Sequence, residues 1–226
     1  MMARASHALL RAVGYSALLS LLAFVARPLE AQTTGATAPR HVVVGGIDLT
    51  GVGHDVGSPT APVVMVNFSD FGCPYCASFS RETYPALARE FIATGQVFYK
   101  YVPIGLGTFF NGKQAARASE CAAEQGKFWP MHERLYARQR DWTHMLRALP
   151  LFQEEAQRVG LDSAAFTRCY ETRVTDRRTE GASIVAKRLR LRATPLFYID
   201  GRAVEGALPL PQFQSLLRTL TREKTR

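Results

Sequence analysis

The stretch FGCPYCASF, residues 71–79, decides how the rest of the chain is read. It sets two cysteines, Cys73 and Cys76, two residues apart, directly after the apolar run Val63-Val64-Met65-Val66-Asn67-Phe68. Such a pair serves a metal centre, a structural disulfide or thiol–disulfide exchange, and its surroundings discriminate among the three. The run before it is nearly all apolar, as buried central strands are. A helix is predicted from about Pro74, because proline is well placed in a first helical turn, where its missing N–H costs nothing. Cys76, Phe79, Thr83, Leu87 and Phe91 recur at three- and four-residue spacing and form one inward face. Pro85 lies inside this helix and should kink it; Gly95 ends it. Val97–Val102 (VFYKYV) reads as a second strand, rich in aromatic and β-branched residues. Strand, helix, strand implies parallel pairing with a right-handed crossover.

The pattern then changes. From Asn111 to Arg190 no strand is evident, and helices are predicted over approximately 112–125, 128–140, 150–159, 163–172 and 174–189, with Asn111 and Asp162 as N-caps. Strands resume at Pro195–Ile199 and Ala203–Glu205, joined through Asp200-Gly201, a strong hairpin signal. A last helix follows Pro209, with Phe213, Leu216, Leu217 and Leu220 on one side. Upstream, residues 32–40 (QTTGATAPR) read as a flexible leader. His41–Ile47 reads as a short first strand, and the Gly- and Pro-rich stretch 50–62 as a loop. The expected class is α/β. Residues 63–226 form one domain, β-α-β then β-β-α, interrupted by a helical insertion at about 107–192 that caps the sheet; residues 32–62 form the leader and first strand.

The first thirty residues look like an export signal. Arg4 and Arg11 precede fourteen apolar residues, Val13–Ala26, with a small-residue cleavage site near Ala31. That length suits a cleaved signal peptide, residues 1–31, and is short for a membrane span; an uncleaved anchor is the alternative. Cleavage after Ala31 leaves 195 of the 226 residues and lowers the net charge from +9 to +7, since three arginines and one glutamate are lost. A hydrophobic fraction of 47% with 21% charged residues excludes a disordered chain. The basic residues are scattered and accompany no nucleic-acid-reading motif, so nucleic acid is not an expected partner. All four cysteines (Cys73, Cys76, Cys121, Cys169) lie in the mature part and would meet an oxidising, periplasmic or extracytoplasmic compartment.

A metal at Cys73 and Cys76 would need two more ligands, and the chain has neither a second CxxC nor a His-x₃₋₅-His. An inert disulfide across a two-residue loop removes almost no chain entropy. Exchange chemistry needs one thiol that attacks and one that resolves. Cys73 at a helix N-terminus would be stabilised as thiolate by free N–H groups; Cys76, one turn further in, faces the core. No cofactor and no metal are expected.

A second signature is Ala193-Thr194-Pro195-Leu196-Phe197-Tyr198-Ile199-Asp200-Gly201. Taken alone, Pro195 is a strand-initiating proline. Together, FSDFGCPYC, QGKFWPMHERLY and ATPLFYIDG, in this order, resemble the DsbA-type thiol-disulfide oxidoreductases of the thioredoxin-like superfamily over about Val63–Leu220. The resemblance implies a thioredoxin-like fold with a helical insertion, Cys73 as nucleophile and Cys76 as its partner. Pro74 and Tyr75 become the active-site dipeptide, and Thr194-Pro195 a cis-proline loop that binds an extended substrate peptide. The implied activity is a protein dithiol–disulfide oxidoreductase acting on exported proteins with free thiols, reset by a DsbB-like or VKOR-like membrane partner.

The chain departs from that family pattern in places. Many relatives carry a buried acid where Asn67 stands, and Asn67 cannot titrate. Asp70 is expected on the loop, not beneath the disulfide. Lys100 is expected either near the pair, favouring thiolate, or as a snorkelling strand-end lysine. Tyr75 replaces the histidine of strong oxidants, which implies a less depressed Cys73 pKa. Arg188, Arg190 and Arg192 approach the cis-proline loop and act on it electrostatically or form a solvated basic face. Cys121 and Cys169 form a second disulfide or remain buried thiols. An exported reductase or isomerase is the nearest alternative function, and a non-catalytic binding module a further one. Only some thirty residues of the mature chain precede the first confident strand, which leaves no room for a dimerisation domain and points to a monomer.

Overall fold

The structure, a computed structural model, describes residues 39–226. The expected signal segment and most of the leader lie outside the described residues.

Val43–Val44 (β1) and Ile47–Asp48 (β2) form a two-stranded ribbon around Gly45-Gly46, so the single short strand expected at His41–Ile47 is a tiny hairpin. The expected loop at 50–62 contains an edge strand, β3 (His54–Val56), antiparallel to the strand Val97–Pro103. Then come β4 (Val63–Ser69), a helix that begins as α1 (Pro74–Ser78), and β5 (Val97–Pro103). Between α1 and β5 the helix runs through a π-turn (Phe79–Thr83), a regular turn α2 (Tyr84–Leu87) and a second π-turn (Ala88–Ile92). Pro85 sits at the start of α2, just past the first π-turn. A proline lacks the N–H that would continue the ladder, and a widened turn before it absorbs the misfit.

The insertion supplies α3 (Gly112–Ala123), α4 (Phe128–Ala137), α5 (Gln139–Trp142), α6 (Leu149–Arg158), α7 (Ser163–Thr172) and α8 (Asp176–Arg188). Asp162 caps α7 through its carboxylate, which accepts from Ala165 N at 2.6 Å. Asn111 does not act as a side-chain cap. It adopts a left-handed conformation, φ 57°, and its Nδ2 donates instead to Trp142 O and Met145 O, tying α3 to the end of α5. The chain returns through β6 (Leu196–Ile199), β7 (Arg202–Glu205) and α9 (Leu210–Lys224). Asp200 and Gly201 both have positive φ, 49° and 80°, as a tight two-residue hairpin turn requires.

The sheet order is β3-β5-β4-β6-β7, with β4 and β5 parallel and every other pair antiparallel. The two sheet faces carry separate cores. Met65, Tyr99, Tyr101, Phe197 and Ile199 pack with Cys76, Phe79, Phe213 and the helices α3–α7. Val66, Phe68, Phe98 and Val102 pack with Val42, Val44, Leu49 and, from α8, Ala182 and Ala186. Side chains alternate between the faces, so Asn67 and Ser69 share the Cys76 face and Lys100 does not. The result is an α/β thioredoxin-like fold with a helical insertion between the parallel strand β5 and β6.

Candidate active site

β4 delivers the chain to one end of the sheet, where a short loop turns it into α1. Cys73 occupies the N-cap position in an extended conformation, φ −75° and ψ 122°, with Pro74 at the first helical residue. Its N–H donates to Asp70 O at 3.0 Å and its carbonyl accepts from Ala77 N at 3.1 Å. The N–H groups of Tyr75 and Cys76, which have no partner in a first helical turn, are thereby left to the Cys73 sulfur. As a thiol, Cys73 Sγ donates to Thr194 O at 3.2 Å. As a thiolate it accepts from the Cys76 S–H foremost, and from the Thr194 hydroxyl and those two backbone N–H groups. Burial opposes them, and together they lower its pKa to about 6.

The Thr194–Pro195 peptide is cis and brings the Thr194 carbonyl and hydroxyl over Cys73. Tyr75, between the cysteines, is 69% exposed. Both Cys73 and Cys76 are free thiols.

Cys76 lies deeper. Burial, and then the Cys73 sulfur beside it, push its pKa well above the ordinary thiol range. The Ser69 hydroxyl and the Asp70 N–H work in the opposite sense by bonding the thiolate. With Cys76 as thiol, Ser69 Oγ donates instead to Asn67 Oδ1 at 2.9 Å, and Asn67 Nδ2 donates to Tyr99 OH at 2.8 Å. Asn67 therefore stands at the second step of a neutral hydrogen-bonded chain, Tyr99–Asn67–Ser69–Cys76. The insertion closes this end from above. Gln139 Nε2 donates to Phe71 O at 2.6 Å and Cys73 O at 2.9 Å, which holds the carbonyls of the redox loop. Tyr136 OH bonds Tyr101 OH at 2.8 Å. His132 stacks edge-on to Tyr101 and is buried, and its pKa falls to about 3 because burial disfavours the imidazolium.

Asp70 is on the loop after β4, as its position in the chain suggests, yet only 2% exposed. Its Oδ1 accepts from Gly72 N at 2.8 Å, and Leu106 N also donates to the carboxylate. Burial outweighs these bonds and pushes its pKa up to about 7. Asp70, Cys73, Tyr75, Leu106, Phe109 and Thr194 line a mostly apolar groove of about 240 Å³, with Arg192 at its side.

The expected place of Lys100 is corrected. Lys100 is neither beside the cysteines nor snorkelling. It is fully buried on the opposite sheet face, with Nζ 2.6 Å from Asp55 Oδ1 and 3.0 Å from Val52 O. Strand alternation sends it there. Arg188 and Arg190 are exposed and do not line the groove; of the three arginines only Arg192 does. Cys121 on α3 and Cys169 on α7 are joined as a disulfide, with Cα atoms 5.8 Å apart. Among the described residues no group of three His, Cys, Asp or Glu side chains could hold a metal ion, and no helix is long and apolar enough to cross a membrane. Ser69, Asp70 and Gln139 were not singled out by sequence as part of the site. Ser69 had one available signal, its place two residues after Asn67 on the same strand face.

A family model described as thioredoxin matches residues 50–219. Disulfide bond formation protein D of Bacillus subtilis is 25% identical over 166 residues, spanning 67% of this chain and 69% of that protein. Na(+)/H(+) antiporter NhaA 3 of Salinispora tropica is 34% identical over 160 residues, 68% of this chain but only 22% of the antiporter. Among solved structures, oxidised BdbD of Bacillus subtilis superposes with a TM-score of 0.67 at 22% identity, covering 74% of this chain and 92% of that one. DsbA of Chlamydia trachomatis does so with a TM-score of 0.66 at 17% identity, covering 76% and 93%. The chain belongs to the thioredoxin family, in its DsbA-type group of protein dithiol–disulfide oxidoreductases.

Proposed function

We propose that this chain is exported and introduces disulfides into exported proteins through Cys73 and Cys76. One observation carries the reading. Cys73, the shallower sulfur, is favoured as thiolate by four hydrogen-bond donors, while Cys76 beneath it is held as thiol. A stabilised Cys73 thiolate is a good leaving group and favours the reduced enzyme, which is what a disulfide donor needs. In this reading a substrate thiolate attacks Cys73 of the oxidised pair, a mixed disulfide forms there, and a second substrate thiol displaces it. Thr194 and Pro195 present backbone groups to the extended substrate, and Pro74 and Tyr75 form the exposed rim. Residues 1–31 act as the signal peptide. A quinone-linked DsbB-like or VKOR-like membrane protein reoxidises the pair, and the chain works as a monomer in the periplasm or its equivalent.

The deciding experiment is the reduction potential of the pair against a glutathione buffer, with Cys121→Ala/Cys169→Ala alongside. A value within about −120 to −180 mV, the range of DsbA and protein disulfide isomerase, supports the donor reading. A value near about −270 mV, that of thioredoxin, overturns it in favour of an exported reductase.

A further inference from the structure

Asp70 is a buried carboxyl for which the thiol–disulfide reading above has no use. It is a neighbour of Cys73, not of the polar chain behind Cys76. Among the described residues no cation pairs with it. The fold nevertheless makes room for it with care. A side-chain carbon at Gly112 would lie 2.1 Å from Asp70 Oδ1, and one at Gly72 would lie 2.5 Å from Phe109 Cβ. Two backbone N–H groups, of Gly72 and Leu106, aim the carboxylate. The titratable and charged groups around it are the Cys73 sulfur, the Tyr101 and Tyr136 hydroxyls, and Arg192, which lines the same groove. A carboxyl held this way lines the same groove as the attacked sulfur, the groove open to an incoming thiol.

We propose that Asp70 is a catalytic base for the substrate thiol, taking its proton in the groove beside Cys73. The inference rests on the site's being a thiol–disulfide exchange centre, whichever direction dominates. A thiol near neutral pH is mostly protonated, and only the thiolate attacks. The Asp70 carboxylate removes the proton from R–SH. The sulfur lone pair then forms the R–S–Cys73 bond as the Cys73–Cys76 bond breaks. Cys76 leaves with the electron pair and takes up a proton. A second thiol, deprotonated in the same way, attacks the substrate sulfur, and Cys73 leaves as thiolate. Two substrate thiols lose two electrons to the enzyme disulfide and two protons to the enzyme and solvent, so the step balances without a further reactant. In reverse, protonated Asp70 supplies the proton to the departing substrate thiolate. A base poised near the working pH is the efficient one, and burial gives Asp70 a pKa of about 7.

The test is single-turnover exchange of the oxidised protein with two probes. One is glutathione, largely protonated at pH 7; the other is an aromatic thiol already ionised there. General-base assistance is worth roughly a hundredfold or more, so Asp70→Asn should slow glutathione by at least about tenfold at pH 7 and leave the aromatic thiol within about twofold. The deficit toward glutathione should close above pH 9, where that thiol ionises unaided. Gly112→Ala, which displaces the carboxyl without removing it, should reproduce part of the glutathione deficit. Equal slowing of both probes at every pH would overturn the proposal in favour of a structural role. So would an Asp70→Asn protein as fast as the wild type. If the wild type itself exchanges with neither probe, the proposed function falls with it, an outcome separate from both.

Discussion

The reduction potential of the Cys73–Cys76 pair should change slope against pH near 6. Reduction of the disulfide takes up two electrons. Below the Cys73 pKa it also takes up two protons, one per sulfur. Above it Cys73 remains a thiolate, and only Cys76 binds a proton, since its pKa is pushed well above the ordinary thiol value. Each proton shifts the equilibrium tenfold per pH unit, and tenfold for a two-electron couple is about 30 mV. The potential should therefore fall by about 59 mV per unit below pH 6 and about 30 mV per unit above it. At pH 7 a Cys73 pKa of about 6 favours the reduced form roughly tenfold over a thiol of ordinary pKa near 8.5. That makes the pair about 30 mV more oxidising than it would otherwise be. The assay is equilibration in glutathione buffers of known potential from pH 4.5 to 9, read by alkylation and mass. Thr194→Val, which deletes one donor to the sulfur, should move the break to higher pH. A single straight line of about 59 mV per unit through pH 8 would show that Cys73 keeps its proton, and would refute the account of its environment.

Three further outcomes follow from buried groups. Asp70 is protonated more readily in the folded protein, about pH 7, than in the unfolded chain, near 3.9. Wild-type stability should therefore fall relative to Asp70→Asn as pH rises from about 4 to 7, by about 1 kcal/mol or more per unit, in urea titrations of the oxidised proteins; a pH-independent difference would contradict this. Lys100→Met leaves Val52 O without its donor and Asp55 without its cation, so it should lose about 1–3 kcal/mol, while the potential stays unchanged because the sheet separates Lys100 from the sulfurs. Cys121→Ala/Cys169→Ala opens a loop with a sequence separation of 48 and should cost up to about 4 kcal/mol by denaturant melting, again without moving the potential.

Most of the site was legible because its motifs are local. The apolar run of β4, the proline-led helix and the Asp200-Gly201 turn each announce themselves within a few residues, and the walk along them leads to a thioredoxin-like sheet. What stayed hidden depends on distant partners. β3 is three polar-leaning residues, His54-Asp55-Val56, that become a strand only by pairing with β5 and by meeting Lys100 across it. Lys100 was misplaced because its face follows from register, which the run VFYKYV does not reveal. Asp70 looks like a surface acid until the chain from Leu106 to Gly112 covers it. Asn111 resembles a helix cap in sequence, yet its donors are spent on carbonyls more than thirty residues away.

The two bonds from Gln139 to the carbonyls of Phe71 and Cys73 bear on how such a protein is divided. Cut at the ends of its helical insertion and rejoined, the chain would still have every strand of the sheet, both redox cysteines and the cis-proline. It would no longer have the amide that pins the redox loop, nor Gly112, whose bare Cα gives Asp70 its room. The insertion is thus not an accessory laid over a finished minimal enzyme. A transplant of CPYC and ATP onto a shorter scaffold would carry the letters of the site without the brace that sets their geometry.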